Sequence, residues 1–268
     1  MKIKSPYLVK PRAKIKLSRI DASVTGGFKS HAAAEEILVE HRNHLIALQE
    51  VFNASQKKAL LIVLQGMDTG GKDGAISHIF SGVNPQGCDV AAFKPPTPLE
   101  ERHDFLWRIH SQVPPRGMIQ IFNRSHYEDI LVPSVHKLLP PKDIKRRLEN
   151  IRAFESILAD NDVLMLKFFL HISRKEQTSR LQSRIDTPEK HWKLSEGDFQ
   201  ERKYWDQYQQ AYEELLPATS TKHAPWFIIP ADHKWYRNVV ISQILVDLMT
   251  SLNLTFPEPT MDASKIKL

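Results

Sequence analysis

The chain has 268 residues, 41% of them hydrophobic and 25% charged, the balance of an ordinary globular protein able to bury a large core. Lys and Arg number 37 against 31 Asp and Glu, a formal charge of +6 with a pI near 9.3, which suits anionic partners without choosing among nucleotides, nucleic acid and inorganic polyanions. Cys88 is the only cysteine, so an internal disulfide and a multi-cysteine metal cluster are excluded.

Residues 1–29 mix Pro6, Pro11, Gly26 and Gly27 with basic residues and scattered Tyr7, Leu8, Val9, Ile15 and Leu17, the pattern of an extended arm lying over the body. This segment holds no hydrophobic block, and no apolar run in the chain approaches the roughly 18 residues that span a bilayer. The expectation is a cytoplasmic protein without membrane contact. From Ala32 to Phe52, apolar residues recur at steps of three and four through Ile37, Leu38, Leu45 and Leu48, which predicts a helix packed on a sheet.

Residues 59–82 carry the first functional signal. An apolar run ends at Gly66 and a helical pattern begins near Lys72, while Gly66, Gly71 and Lys72 satisfy G-x-x-x-x-G-K. In such a loop, bare backbone N–H groups wrap phosphate oxygens, the lysine reaches a further phosphate, and the next helix aims its positive end at the anion. Asp73 stands where these loops usually place Ser or Thr on Mg²⁺, and Asp68 lies inside the loop. Two acids beside a polyanion make sense if Mg²⁺ sits between carboxylate and phosphate, or if one acid is a base.

A turn at Asn84-Pro85 leads to a short strand near 89–93, with Cys88 read as a small core residue before it. Thr97, Pro98 and Glu100 read as the start of a helix running to about Val113. Gly117 to Phe122 is a buried strand, and Asn123-Arg124-Ser125-His126-Tyr127-Glu128-Asp129 follows at once. Ligands of open α/β sheets bind beyond the carboxyl ends of strands, so this segment faces the same crevice as the glycine loop. Asn123 stands where many nucleoside triphosphatases carry a metal-organising Asp, with Glu128 and Asp129 a turn later, and Arg124 offers a fork for phosphate oxygens.

A helix from about Pro141 to Ala159, a strand at 163–170, a last strand at 224–230 and a last helix at 235–252 complete an alternation that predicts an α/β fold with a mostly parallel sheet covered on both faces. Ser173 and Glu176 read as a capping box, and the helix they start carries Arg180 and Arg184 one turn apart. Residues 186–194 break that helix, and Ser195 and Asp198 restart one to about Leu216. The cation-rich segment of about 174–216 reads as a helical lid over a bound polyanion.

Taken together these blocks resemble the family-2 polyphosphate kinases: GMDTGGKDG at 66–74, VNPQG at 83–87, FLWR at 105–108, FNRSHYED at 122–129, KFFLHIS at 167–173 and APW at 224–226. The resemblance implies a P-loop, thymidylate-kinase-like three-layer fold: an arm at 1–29, one kinase domain at 30–256 and a polar tail at 257–268. It implies Mg²⁺-dependent phosphoryl transfer, with Mn²⁺ as a substitute, between inorganic polyphosphate and AMP/ADP or GMP/GDP, generating ADP or ATP. The loop resembles the monophosphate-accepting or dual-acceptor members more than the diphosphate-specific ones, which tend to carry Gly in place of Asp73. Family members commonly form dimers or tetramers.

By the same resemblance Asp68, Lys72 and Arg124 are catalytic, and Gly66, Thr69, Gly70, Gly71, Lys72, Asp73, Gly74, Lys94, Arg124, Arg180 and Arg184 bind phosphate. Asp68, Asn123, Arg124 and Arg184 bind nucleotide, and Asp68, Asp73, Asn123, Glu128 and Asp129 lie at the metal. The rivals are an ATP-dependent nucleoside monophosphate kinase and, from the +6 charge alone, a non-catalytic polyanion-binding module. No nucleic-acid recognition signature is present.

Overall fold

The apolar runs form a five-stranded, wholly parallel sheet in the order β2-β3-β1-β4-β5, seen in a computed structural model that describes residues 3–28 and 30–261. The strands are β1 (Ala59–Gln65), β2 (Cys88–Ala92), β3 (Ile119–Asn123), β4 (Val163–His171) and β5 (Trp226–Pro230). Every residue of β1 and β5 is buried, as expected of parallel strands covered on both faces. Helices α1 (His31–Ser55), α2 (Lys72–Ile79) and α9 (Lys234–Ser251) pack together as one layer. On the other side lie α4 (Glu128–Val135), α5 (Pro141–Asp160) and α8 (Trp205–Thr219). No helix among the described residues is long and apolar enough to cross a membrane.

The chain leaves β1 for β2 across β3 and later leaves β3 for β4 across β1, so the connections diverge at the β1–β3 pair. That is the switch point at which open α/β sheets bind ligands. The register Leu64↔Asn123 brings the loops after β1 and β3 side by side, and Arg124 N–H donates to Leu64 O at 3.1 Å.

The arm runs antiparallel along the free edge of β5, where Val9 N–H donates to Trp226 O and Ile228 N–H to Tyr7 O, both at 2.9 Å. An edge that would otherwise offer unpaired backbone groups is thereby covered. Residues 1, 2, 29 and 262–268, parts of the expected arm and tail, lie outside the described residues.

Three expectations need correction. The helix expected from Thr97 to Val113 is a 3₁₀ turn at Glu100–Arg102 and a single turn, α3 (Trp107–His110). Its reciprocal cap forms, Thr97 N–H reaching Glu100 Oε2 at 2.6 Å and Glu100 N–H reaching Thr97 Oγ1 at 3.3 Å. Asp104 then ends the run, because its side chain accepts from Leu106 N–H and its carbonyl from Trp107 N–H, starting a new turn. The second lid helix is likewise split into α7 (Glu196–Glu201), a 3₁₀ turn at Arg202–Tyr204, and α8.

The capping box at the head of α6 (Arg174–Asp186) is half made. Ser173 Oγ accepts from Glu176 N–H at 3.0 Å, but the Glu176 carboxylate binds Arg180 Nε at 2.7 Å and Ser173 N–H goes to Asp232. Cys88 opens β2 half-buried, and burial pushes its thiol up to about 12, which disfavours the thiolate.

Candidate active site

The glycine loop takes its shape from positions that reject a side chain. Gly66 has φ +155°, and a Cβ there would stand 2.9 Å from Leu170 O; Gly71 has φ +94°, and a Cβ would meet Arg237 Nη1 at 2.1 Å. Gly71 caps α2, whose first turn begins with Lys72 and Asp73 and points its N–H groups into the loop. The Lys72 ammonium folds back onto Gly66 O at 3.0 Å. Burial, then Arg124, lowers its pKa against the pull of Asp68, Glu128 and Asp73, and an arriving anion favours its charged form.

Across the β1–β3 junction, Arg124 sits in the left-handed region at φ +63° and its Nη2 donates to Asp68 Oδ1 at 2.6 Å. Burial works against its charge, but Asp68 and Glu128 outweigh burial and hold the pKa above the ordinary arginine value. Asn123 Nδ2 donates to Asp73 Oδ1 at 2.6 Å, fixing the second loop acid. The structure thus brings Asp68, Lys72, Asp73, Asn123, Arg124 and Glu128 to one place.

Two hollows open from this cluster. The first, about 790 Å³, is lined by the loop from Asp68 to Gly74 and by nine cationic side chains, Lys72, Lys94, Arg124, Arg180, Arg184, Lys190, Lys193, Lys234 and Arg237, against the carboxylates Asp68, Asp73, Glu176 and Asp198. The second, about 390 Å³, is bounded by Gly66, Met67, Glu128, Gln177, Glu201, Arg202, Tyr208 and Tyr212, and its balance is acidic. Both are lined by Asp68 and Arg124. One hollow is lined mainly by cations, the other is smaller and mixed, and they meet at a carboxylate and a guanidinium. A larger hollow of about 1530 Å³ lies between the arm and α8, but it has no glycine loop and mixes Lys16 and Arg19 with Asp21, Glu213 and Glu214, so the chemistry points to the first two.

Several side chains have partners the sequence did not disclose. Arg180 spends all five N–H donors on Glu176 and on the carbonyls of Thr69, Gly70, Ala231 and Asp232. It clamps the phosphate loop to the segment after β5, and no donor is left for a phosphate. Arg184 Nη1 binds Asp198 Oδ2 at 2.7 Å and Lys193 O at 3.2 Å, bracing α6 against α7 while lining the first hollow. Asp129 reaches neither hollow: Arg108 Nη2 holds its carboxylate at 3.3 Å. Lys94 lines the first hollow, and its carbonyl takes Arg108 Nη1 at 2.8 Å.

Sequence reasoning missed Arg237, Lys234, Gln177, Glu201, Tyr208 and Tyr212. Arg237 is 1% exposed, donates to Gly71 O at 2.9 Å, and is pushed down to about 9 by burial and by Arg180. Its signal was an arginine among the valines and isoleucines of the last helix. Gln177 Nε2 donates to Asp68 O at 3.0 Å, tying α6 to the loop.

The donor set also bears on a metal. Among the described residues no three His, Cys, Asp or Glu side chains converge as a cage. Asp68 and Asp73, with the Asn123 amide beside them, offer hard oxygens on one side only. That suits a divalent ion held jointly with phosphate oxygens and water.

A family profile described as Polyphosphate kinase 2 (PPK2) matches residues 29–257. A protein of Meiothermus ruber named AMP/ADP-polyphosphate phosphotransferase is 48% identical over 97% of this chain and 98% of its own. One of Rhodopseudomonas palustris named ADP-polyphosphate phosphotransferase is 40% identical over 97% of this chain and 94% of its own. The crystal structure of polyphosphate kinase 2 from Arthrobacter aurescens superposes with a TM-score of 0.91 at 40% identity, covering 96% of this chain and 92% of that one.

Proposed function

The chain belongs to the polyphosphate kinase 2 family, and from that membership we propose that it moves the terminal phosphoryl group of inorganic polyphosphate onto nucleoside mono- and diphosphates with Mg²⁺. One observation carries the reading: a cation-lined hollow and a mixed hollow meet at Asp68 and Arg124. Polyphosphate lies in the first and the nucleotide in the second. The names of the two relatives cited support AMP and ADP as acceptors, and GMP and GDP extend the proposal. Residues 30–256 act as one domain whose lid, about 174–216, closes over both substrates. Assembly into dimers or tetramers and a cytoplasmic setting complete the proposal, and light scattering tests the assembly.

Transfer breaks the anhydride P–O bond of the terminal phosphate and forms a P–O bond to the acceptor phosphate, leaving the donor one unit shorter. Alignment and charge neutralisation supply most of the barrier reduction. Lys72 and the loop N–H groups hold the terminal phosphate from behind while Arg124 spans donor and acceptor oxygens at the junction. Asp68 orients the acceptor phosphate or takes its proton. Asp68, Asp73 and Asn123 are the residues that would hold Mg²⁺, which when bound neutralises phosphate charge.

The test supplies long-chain polyphosphate with AMP, ADP, GMP or GDP and Mg²⁺ and separates the products. Phosphorylated nucleotide from polyphosphate supports the reading. Phosphorylation of AMP from ATP but not from polyphosphate assigns the chain to the ATP-dependent kinases instead.

A further inference from the structure

Below the Asn123–Glu128 segment lies a cluster of titratable groups that the transfer chemistry leaves unused. His126, Tyr127, Glu155 and Lys167 are each 0% exposed. Lys167 rises from the middle of β4, where an apolar residue would be expected, and uses all three N–H donors: on Tyr127 Oη at 2.9 Å, Glu155 Oε2 at 2.7 Å and Thr219 O at 2.8 Å. The Tyr127 hydroxyl donates to Glu155 Oε1 at 2.6 Å. Burial drags the lysine down to about 8; Glu155, which burial alone would raise, is held below the ordinary carboxylate range by Lys167 and His126.

Such a buried ionic group is a poor way to add stability, since apolar side chains of similar volume do as well or better. Its location suggests another use. Ser125 Oγ is held by Gln65 Nε2 and accepts from Tyr127 N–H, both at 3.2 Å, so residues 125 and 127 are both anchored. Arg124, next to them, keeps a left-handed backbone that arginine disfavours and that surrounding contacts must impose. Thr219 ends α8, whose Tyr208 and Tyr212 line the second hollow.

We propose that Tyr127 and Lys167 are positioning residues: the Lys167–Glu155–Tyr127 network fixes the turn that aims the Arg124 guanidinium at Asp68 and ties that turn to the helix lining the acceptor hollow. The inference rests on the proposed phosphotransfer for its kinetic consequence, and its geometric content stands apart. Tyr127→Phe removes one hydroxyl and keeps the ring, whereas Lys167→Met risks the fold.

The experiment measures kcat, KM and thermal midpoint for Tyr127→Phe, Arg124→Ala and the double variant, with polyphosphate and AMP. A crystal structure of Tyr127→Phe is solved in parallel. Expected are a kcat lower by about tenfold with both KM values within about twofold, and less than about twofold further loss when Tyr127→Phe is added to Arg124→Ala. The crystal structure is expected to show the Arg124–Asp68 pair broken. An unchanged kcat, or the same tenfold loss repeated without Arg124, overturns the proposal. Wild-type protein inactive with polyphosphate overturns the functional reading alone; the crystal structure then decides, an intact pair at Arg124 in Tyr127→Phe overturning the positioning role and a broken pair supporting it.

Discussion

At the junction of the two hollows, Asp68 and Arg124 are oppositely charged and 2.6 Å apart, so each holds the other in the geometry a phosphate would meet. Asp68→Asn keeps the shape and removes the charge, and is expected to lower kcat by about 10²- to 10⁴-fold. Lys72→Ala removes the ammonium behind the loop and is expected to cost about 10²- to 10³-fold; steady-state assays with circular dichroism as a fold control check both. Glu128 titrates in the opposite sense to a paired acid, because burial raises its pKa more than Arg124 and Lys72 lower it. Between the ordinary glutamate value and the raised one, the folded chain binds more protons than the unfolded chain, so this group weakens folding as pH climbs through that window. Glu128→Gln should therefore raise the melting temperature by a few degrees near neutral pH, with the gain fading toward pH 4.5, as calorimetry of the free protein would show. The loop residues and Arg124 were legible because glycine spacing and a post-strand position are local properties. The task of Arg180 was not, since its four carbonyl acceptors come from two loops distant in sequence.

Strands and breaks differ in how plainly they are written. β1, β4 and β5 are dominated by apolar residues, with Lys167 the exception inside β4, and they form close to where expected. The stretch after Thr97 has a good helix start, yet Asp104 offers the backbone a turn of its own, which periodicity does not reveal. Helix α6 acts as a clamp, through Arg180 onto the loop and Gln177 onto Asp68 O. Arg180→Lys strands several buried carbonyls and should destabilise the fold by roughly 2 kcal/mol or more, lowering kcat while leaving the KM for polyphosphate nearly unchanged. Denaturant melts and kinetics check it; a large rise in that KM with unchanged stability would restore Arg180 as a phosphate contact. The arm is held to β5 by backbone bonds. Deleting residues 1–12 uncovers that edge and should lower the melting temperature and promote association, followed by light scattering.

For the molecule as a whole, alternating strands and helices disclosed a parallel sheet, but not the order β2-β3-β1-β4-β5, which depends on which strands the crossovers pass. Nor could the sequence show that two hollows of different charge share Asp68, Pro95, Arg124 and Asp198, because that depends on how α6 and α7 seat over the loop. The charge division has a consequence for salt. Raising ionic strength from about 0.05 to about 0.5 M shortens the screening length several-fold, so the KM for polyphosphate should climb more than the KM for AMP. The most direct test follows the transfer itself: the rate at which wild type and Asp68→Asn convert AMP to ADP with long-chain polyphosphate and Mg²⁺, each ADP counted against phosphate units lost from the chain. Expected are one unit lost per ADP in the wild type and near silence in the folded variant. ADP formed without loss from the chain, or a variant that keeps pace, contradicts it.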